Sequence, residues 1–277
     1  MEKILQIDID KILQDKSPSL YKLLPKFIIR WFKKFIHQDE MNYVLREGNH
    51  LTGVEFAKFT IDYMGAIVEF KGLENIPQNG GCIVAANHPL GGLDGMALIV
   101  GVAEIRKDFK FLANDILMHI EPLKDYFIPV NKMGTTTKSH LSNISNEYSS
   151  GKAIIVFPAG LCSRKIEGEI VDLGWQKSVI KQSINNNLPI IPAFIEGENS
   201  KWFYRIANIR KFLKLKFNLE MLMLPDELYK QKGKKIVIHF GQPIGPNNFS
   251  MKSIGSDVQR LKNHVYRLKD NLSLEFN

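Results

Sequence analysis

One histidine and one aspartate, His88 and Asp94, stand six positions apart in the stretch Ile83-Val84-Ala85-Ala86-Asn87-His88-Pro89-Leu90-Gly91-Gly92-Leu93-Asp94-Gly95-Met96-Ala97-Leu98. An imidazole and a carboxylate so placed can form a dyad. The carboxylate accepts a hydrogen bond from one ring nitrogen, fixes the tautomer, and leaves the other nitrogen free to take a proton. Asp94 also suits a plainer role, because an aspartate where a loop enters a helix can cap unpaired backbone N–H groups. Both roles need the same local structure. Cys82 to Ala86 is an apolar run too brief for a helix, Pro89, Gly91 and Gly92 break any regular pattern, and apolar spacing resumes at Met96. The stretch reads as strand, loop, helix, with His88 on the loop. Backbone N–H groups of Gly91 and Gly92 at the helix start are candidate donors to a developing oxyanion.

Three further blocks accompany the pair. Gly72-Leu73-Glu74-Asn75-Ile76-Pro77 lies upstream, Phe157-Pro158-Ala159-Gly160-Leu161-Cys162-Ser163-Arg164 follows a second apolar strand, and Ile190-Ile191-Pro192-Ala193-Phe194 forms a third. In this order, from about Val68 to Pro243, the chain resembles the PlsC-like glycerolipid and lysophospholipid acyltransferases, and most of all their hemolysin-like bacterial branch. The resemblance implies transfer of a fatty acyl group from a thioester on acyl carrier protein or coenzyme A to a lysolipid or aminolipid acceptor. The thioester is a co-substrate, and no cofactor or metal is implied. By the same resemblance His88 is the general base and Asp94 its partner. Asn87, Gly91, Gly92, Lys132, Phe157, Pro158, Gly160, Ser163, Arg164 and Pro192 are the candidate substrate-binding residues.

The chain departs from the family pattern at three places. Members usually carry a glutamate where Ala159 stands and an arginine where Cys162 stands, and they place four residues between histidine and aspartate rather than five. Two glycines in the longer loop can absorb the extra residue through backbone conformations closed to other types. The missing glutamate weakens glycerol 3-phosphate or simple lysophosphatidate as acceptor and leaves open a lysophospholipid or an acylated amino acid. Arg164 can pair a phosphate or carboxylate in bidentate fashion, or it can form a surface salt bridge with Glu167 or Glu169. Lys132 is either a contact to a polar part of the acceptor or a solvated lysine. Pro192 is either a wall of the acyl site or a proline at a strand edge.

Composition narrows the class. A chain of 277 residues with 44% apolar residues buries a substantial core, and 37 basic against 29 acidic residues give a net charge of +8 that attracts polyanions. Two cysteines provide neither a disulfide framework nor a metal spacing. The first residues carry acidic side chains at Glu2, Asp8, Asp10 and Asp15, unlike a secretory signal, and the apolar runs fall far short of the ~20 residues that span a bilayer. A G-x-S-x-G elbow and the glycine fingerprints of nucleotide enzymes are absent from the sequence.

Alternating strand and helix signals predict an α/β fold, a central mostly parallel or mixed sheet flanked by helices. An N-terminal helical, membrane-associating extension is expected over 1–64 and the acyltransferase domain over 65–277. From Leu20 to Ile36 apolar residues recur at three- and four-residue steps among Lys22, Lys26, Arg30, Lys33 and Lys34, which describes a basic amphipathic helix with a kink at Pro25. Lys201 to Phe217 again mixes aromatics with cations and contains no acidic residue. Two such segments suit anchoring to an anionic membrane surface at two points, at the cytoplasmic face of the inner membrane, better than they suit nucleic acid. The competing class is a non-catalytic basic lipid- or nucleic-acid-binding protein on the same fold, which would have no need of His88 and Asp94.

Overall fold

A computed structural model describes residues 7–114, 117–118, 120–130, 144–215 and 218–276. Nine strands are described: β1 (Ile67–Lys71), β2 (Cys82–Ala86), β3 (Phe109–Asn114), β4 (Phe127–Val130), β5 (Ala153–Val156), β6 (Arg164–Ile166), β7 (Glu169–Val171), β8 (Ile190–Ile195) and β9 (Lys235–Phe240). Seven of them form one sheet in the order β1-β9-β8-β2-β5-β3-β4, and β6 pairs with β7 in a separate antiparallel hairpin. Every neighbouring pair in the large sheet is parallel except β8 with β9. The expected α/β fold with a central mostly parallel sheet is the one observed.

The α-helices whose bounds lie within the described residues are α1 (Ile9–Lys16), α2 (Pro18–Leu23), α3 (Lys26–Phe35), α4 (Gln38–Glu47), α5 (Val54–Tyr63), α6 (Gly92–Ile105), α7 (Ser178–Asn186), α8 (Lys201–Phe212), α9 (Leu224–Tyr229) and α10 (Ile254–Arg267). Two cores lie on opposite faces of the sheet, and the twofold period of a strand divides β2 between them. Cys82, Val84 and Ala86 enter the core built with α5 and α6, whereas Ile83 and Ala85 enter the one built with α7 and α10. Burial on both faces explains why β2 is apolar at every position instead of alternating.

A small separate core of Ile9, Ile29 and Ile36 ties α1 to α3, supported by Tyr21, Leu24, Phe32 and Phe35. Lys33 forms an ion pair with Asp10, which holds the Asp10 carboxyl below its usual range. Pro25 does more than kink the helix expected there: it separates α2 from α3. Val44, Phe56, Ala57 and Ile61, further along, pack in the main core.

The sequence from Leu173 to Asn186, with Trp175, Lys177 and Lys181, carries a helical signal, but the helix begins only at Ser178. Leu173 to Gln176 lies outside regular secondary structure, with Trp175 buried and donating its Nε1–H to Asp172 across 2.8 Å. Among the described residues no helix is long and apolar enough to cross a membrane.

Candidate active site

Strands β2, β5, β3 and β8 run parallel, so their carboxyl ends open on one edge of the sheet, the place where open α/β sheets commonly build sites. His88 leaves the end of β2, the central strand, and Phe157 to Ser163 leaves the end of β5 beside it. Asn199 arrives from the end of β8 and donates its side-chain N–H to the Pro89 carbonyl at 3.0 Å.

His88 Nδ1 lies 3.0 Å from Asp94 Oδ2, and the same oxygen accepts the Leu90 N–H at 2.8 Å and the Gly91 N–H at 3.1 Å. Asp94 therefore reaches back from the first turn of α6 to take the loop amides and contacts the histidine with the same oxygen. A carboxylate oxygen that receives two N–H groups acts as an acceptor, which places the third hydrogen on His88 Nδ1 and leaves the lone pair on Nε2. Between the pair the loop turns at Gly91, whose φ of 84° and ψ of −127° lie in a region essentially restricted to glycine.

The ring is fixed on its face as well. Phe157 stacks on it with centroids 3.9 Å apart and planes 16° from parallel, and Phe111 in turn meets Phe157 edge-on at 5.4 Å. Burial of the His88 ring disfavours its charged form, but attraction and hydrogen bonding from Cys162 and Asp94 outweigh that and raise its pKa above the ordinary histidine value. Burial pushes the Asp94 carboxyl up, while His88 and the Leu90 and Gly91 amides pull it back.

The other predicted residues divide by task. Asn87, almost wholly buried, exchanges two hydrogen bonds with the Ile195 backbone, at 2.9 and 2.6 Å, and so locks the end of β2 to β8. Arg164 is buried, with Glu220 at 2.8 Å and the Cys162 carbonyl at 2.6 Å, and Glu220 also takes Arg210 at 2.9 Å. Its salt-bridge partner is thus Glu220, and neither Glu167 nor Glu169 plays that part. The guanidinium is committed to the fold. Ser163 donates its hydroxyl to Asp172 at 2.6 Å and its backbone N–H to the His88 carbonyl at 2.8 Å. Pro158 is buried and accepts the Gln176 N–H at 2.9 Å, and Gly160 turns the chain at a φ of 63°.

Pro192 is buried in β8, between β2 and β9, so it does not lie on an edge strand as one reading had it. Regular pairing with β9 starts one residue later, at Ala193, and the Pro192 carbonyl accepts the Gly241 N–H at 2.8 Å. The Gly91 N–H is taken by Asp94, whereas Gly92 is exposed at the helix start with nothing within 4 Å of where a Cβ would project. Lys132 lies outside the described residues. Sequence reasoning missed Asp172, Glu220 and Asn199, which meet the site only through the tertiary fold. Asp172 lies 84 positions from its partner His88, beyond the reach of local pattern.

The chain was compared with known proteins. An acyltransferase family, described as "Acyltransferase", matches residues 11–275. Two curated relatives are each named lyso-glycine lipid O-acyltransferase. The protein from Phocaeicola vulgatus is 40% identical over 270 residues, covering 96% of this chain and 96% of the relative. That from Bacteroides thetaiotaomicron is also 40% identical over 270 residues, with 96% and 99% covered. Among solved structures, the 1-acyl-sn-glycerophosphate acyltransferase PlsC from Thermotoga maritima aligns with a TM-score of 0.51 at 18% identity, covering 90% of this chain and 99% of that one, and so shares the fold. With the family match running nearly from end to end and two close relatives of almost equal length, the chain belongs to the acyltransferase family and is an acyltransferase of PlsC-like fold.

Proposed function

We propose that this enzyme moves a fatty acyl group from a thioester, carried on acyl carrier protein or coenzyme A, to the hydroxyl of a lysolipid, with His88 as general base oriented by Asp94. The contact that carries this reading is His88 Nδ1 with Asp94 Oδ2 at 3.0 Å, which leaves Nε2 as the basic atom. The acceptor hydroxyl loses its proton to Nε2 as its oxygen attacks the thioester carbonyl. The resulting oxyanion is sheltered by the exposed Gly92 N–H at the start of α6, where unpaired amides and the helix dipole favour negative charge. Collapse breaks the carbon–sulfur bond, and the departing thiolate takes the proton from the imidazolium.

A lyso-glycine lipid is the acceptor we favour. The two relatives of that name support it, and so does the buried pair Ala159 and Cys162, which stands where PlsC-like enzymes usually place a glutamate and an arginine. Neither side chain can bond a glycerol hydroxyl or a phosphate as a carboxylate or guanidinium does. An acceptor hydroxyl flanked by hydrocarbon suits such a wall better than glycerol phosphate.

The enzyme works, on this reading, while lying on an anionic membrane. The outer face of α3 exposes Phe27 and Trp31 beside Lys26, Arg30 and Lys34, and the end of α8 exposes Ile209, Phe212 and Leu213 beside Lys211. Phe35 packs into the small core of α1 to α3 and also against the cluster containing Phe203 and Tyr204 of α8, so the two exposed faces belong to neighbouring helices. Apolar side chains interleaved with cations are the chemistry of an interfacial helix.

The decisive assay supplies purified protein with acyl carrier protein and coenzyme A thioesters in parallel, each with lyso-glycine lipid and with lysophosphatidate. Esterified product from the glycine lipid is expected, and His88→Ala should lower its rate by ~10²- to 10⁴-fold. Preference for lysophosphatidate would overturn the acceptor, and an active His88→Ala would overturn the base.

A further inference from the structure

We propose that Asp172 is a positioning residue for His88, gripping the backbone of residue 88 so that its ring stays seated between Asp94 and Phe157. The inference rests on the reading of His88 as general base. Asp172 follows β7 directly and is 1% exposed. One carboxylate oxygen accepts the His88 backbone N–H at 3.2 Å and the Ser163 hydroxyl at 2.6 Å, while the other accepts Trp175 Nε1–H at 2.8 Å. The Asp172 N–H donates to the Tyr266 hydroxyl at 2.7 Å, and the Lys262 ammonium donates to its carbonyl, so α10 braces it from behind.

A short hairpin organises this grip. In β6 and β7, Arg164 pairs with Val171, which sets Ser163 and Asp172 opposite each other at the open end. The closed end turns through Glu167 and Gly168, both at positive φ, as a two-residue hairpin loop of the primed type does. Ser163 takes the His88 carbonyl with its own N–H at 2.8 Å while Asp172 takes the His88 N–H, so the residue is held on both sides. Two aspartates thus divide the work on one histidine: Asp94 fixes the ring and Asp172 fixes the peptide.

The carboxylate is specifically required. It meets three donors and offers only acceptors, whereas an asparagine of the same shape must turn its N–H₂ either on Trp175 or on His88 and Ser163. That donor conflict displaces the loop, and a shift of about 1 Å at a catalytic group can cost ~10²-fold in rate.

The test is Asp172→Asn, with Ser163→Ala as a milder variant that removes one donor and keeps the carboxylate. Asp172→Asn is expected to fold, to lower kcat by ~10²-fold with little change in KM for the thioester, and to shift the pH at which His88 titrates in the rate profile. Ser163→Ala should change both quantities in the same sense by less, and it carries the test if the asparagine variant does not fold. Adding Trp175→Phe to Asp172→Asn removes the opposing donor and should recover part of kcat. Wild-type kcat and an unmoved pH limb in a folded variant would overturn the inference. So would a loss of rate no larger than the loss of folded protein with the limb unmoved. His88→Ala separates the two claims: an active His88→Ala sinks the base itself, whereas an inactive one beside a fully active Asp172→Asn sinks only the positioning role.

Discussion

Asp94 Oδ2 receives His88 Nδ1 at 3.0 Å and the N–H groups of Leu90 and Gly91 at 2.8 and 3.1 Å, so a single oxygen shapes the loop and orients the ring. Coupling of this kind ties the orientation of the ring to loop conformation, because whatever displaces the amides also displaces the histidine. The two backbone donors hold the carboxylate in place whether or not the imidazole is charged. On the proposed mechanism the base would work against a fixed partner, with little reorganisation needed at the moment of proton transfer.

The pH profile follows from the same contact. Attraction from Cys162 and Asp94 outweighs burial and raises the His88 pKa, so its neutral, basic form becomes more abundant only as pH rises through that value. The acidic limb of kcat/KM is expected above the ordinary histidine value of 6.5. Asp94→Asn removes one of the attractions and leaves burial, so its limb should move to lower pH while its maximal rate falls. A pH–rate series on the two proteins checks the sign.

Gly91 and Gly92 separate backbone strain from crowding. An alanine at 91 would meet only ordinary contacts, Leu224 at 3.4 Å and Cys162 at 3.5 Å, but it inherits a φ of 84° that costs ~1–3 kcal/mol. At 92 nothing lies within 4 Å of the added methyl group and φ is not positive. Thermal unfolding should show a clear loss for Gly91→Ala and little change for Gly92→Ala.

Residues whose roles are local were legible in the sequence. The strands Cys82–Ala86, Phe127–Val130, Ile190–Ile195 and Lys235–Phe240 have the bounds that their apolar runs indicate, and His88 with Asp94 lies within one strand–loop–helix unit. What escaped depends on distant chain. Arg164 read as a cation facing a ligand or a nearby surface carboxylate because Glu220, its buried partner, lies 56 positions away. The hairpin of β6 and β7 has only three residues per strand, and its alternation is too brief to register. Trp175 fell into a helical pattern that its hydrogen bond to Asp172 overrides.

The Arg164, Glu220 and Arg210 triad gives a stability prediction. Glu220 is fully buried, with Arg164 at 2.8 Å and Arg210 at 2.9 Å, so its removal leaves Arg164 buried without its counter-charge. Breaking a buried pair from one side typically costs ~3–5 kcal/mol. Glu220→Ala should lower the unfolding midpoint markedly, and Arg164→Ala should do the same. If Arg164 instead served substrate alone, its alanine variant would raise KM and leave the midpoint where it was.

Vesicle binding tests the membrane reading, and the fold selects which side chains to change. Lys33 is a poor target, because its ion pair with Asp10 joins α1 to α3 and charge reversal there would damage the N-terminal core. Phe27, Trp31 and Phe212 are more than half exposed, and their replacement by serine keeps the buried residues of α3 and α8 and gives up only the stacking of Trp31 on Phe35. Burying each large apolar side chain in the interface is worth ~1.5–3 kcal/mol, so the triple variant should lose most of its sedimentation with anionic vesicles. Lys26→Glu and Lys34→Glu together should weaken binding further at low salt, and the difference from wild type should shrink as added salt screens the charges. Unchanged sedimentation of the triple serine variant would show that these faces meet something other than lipid.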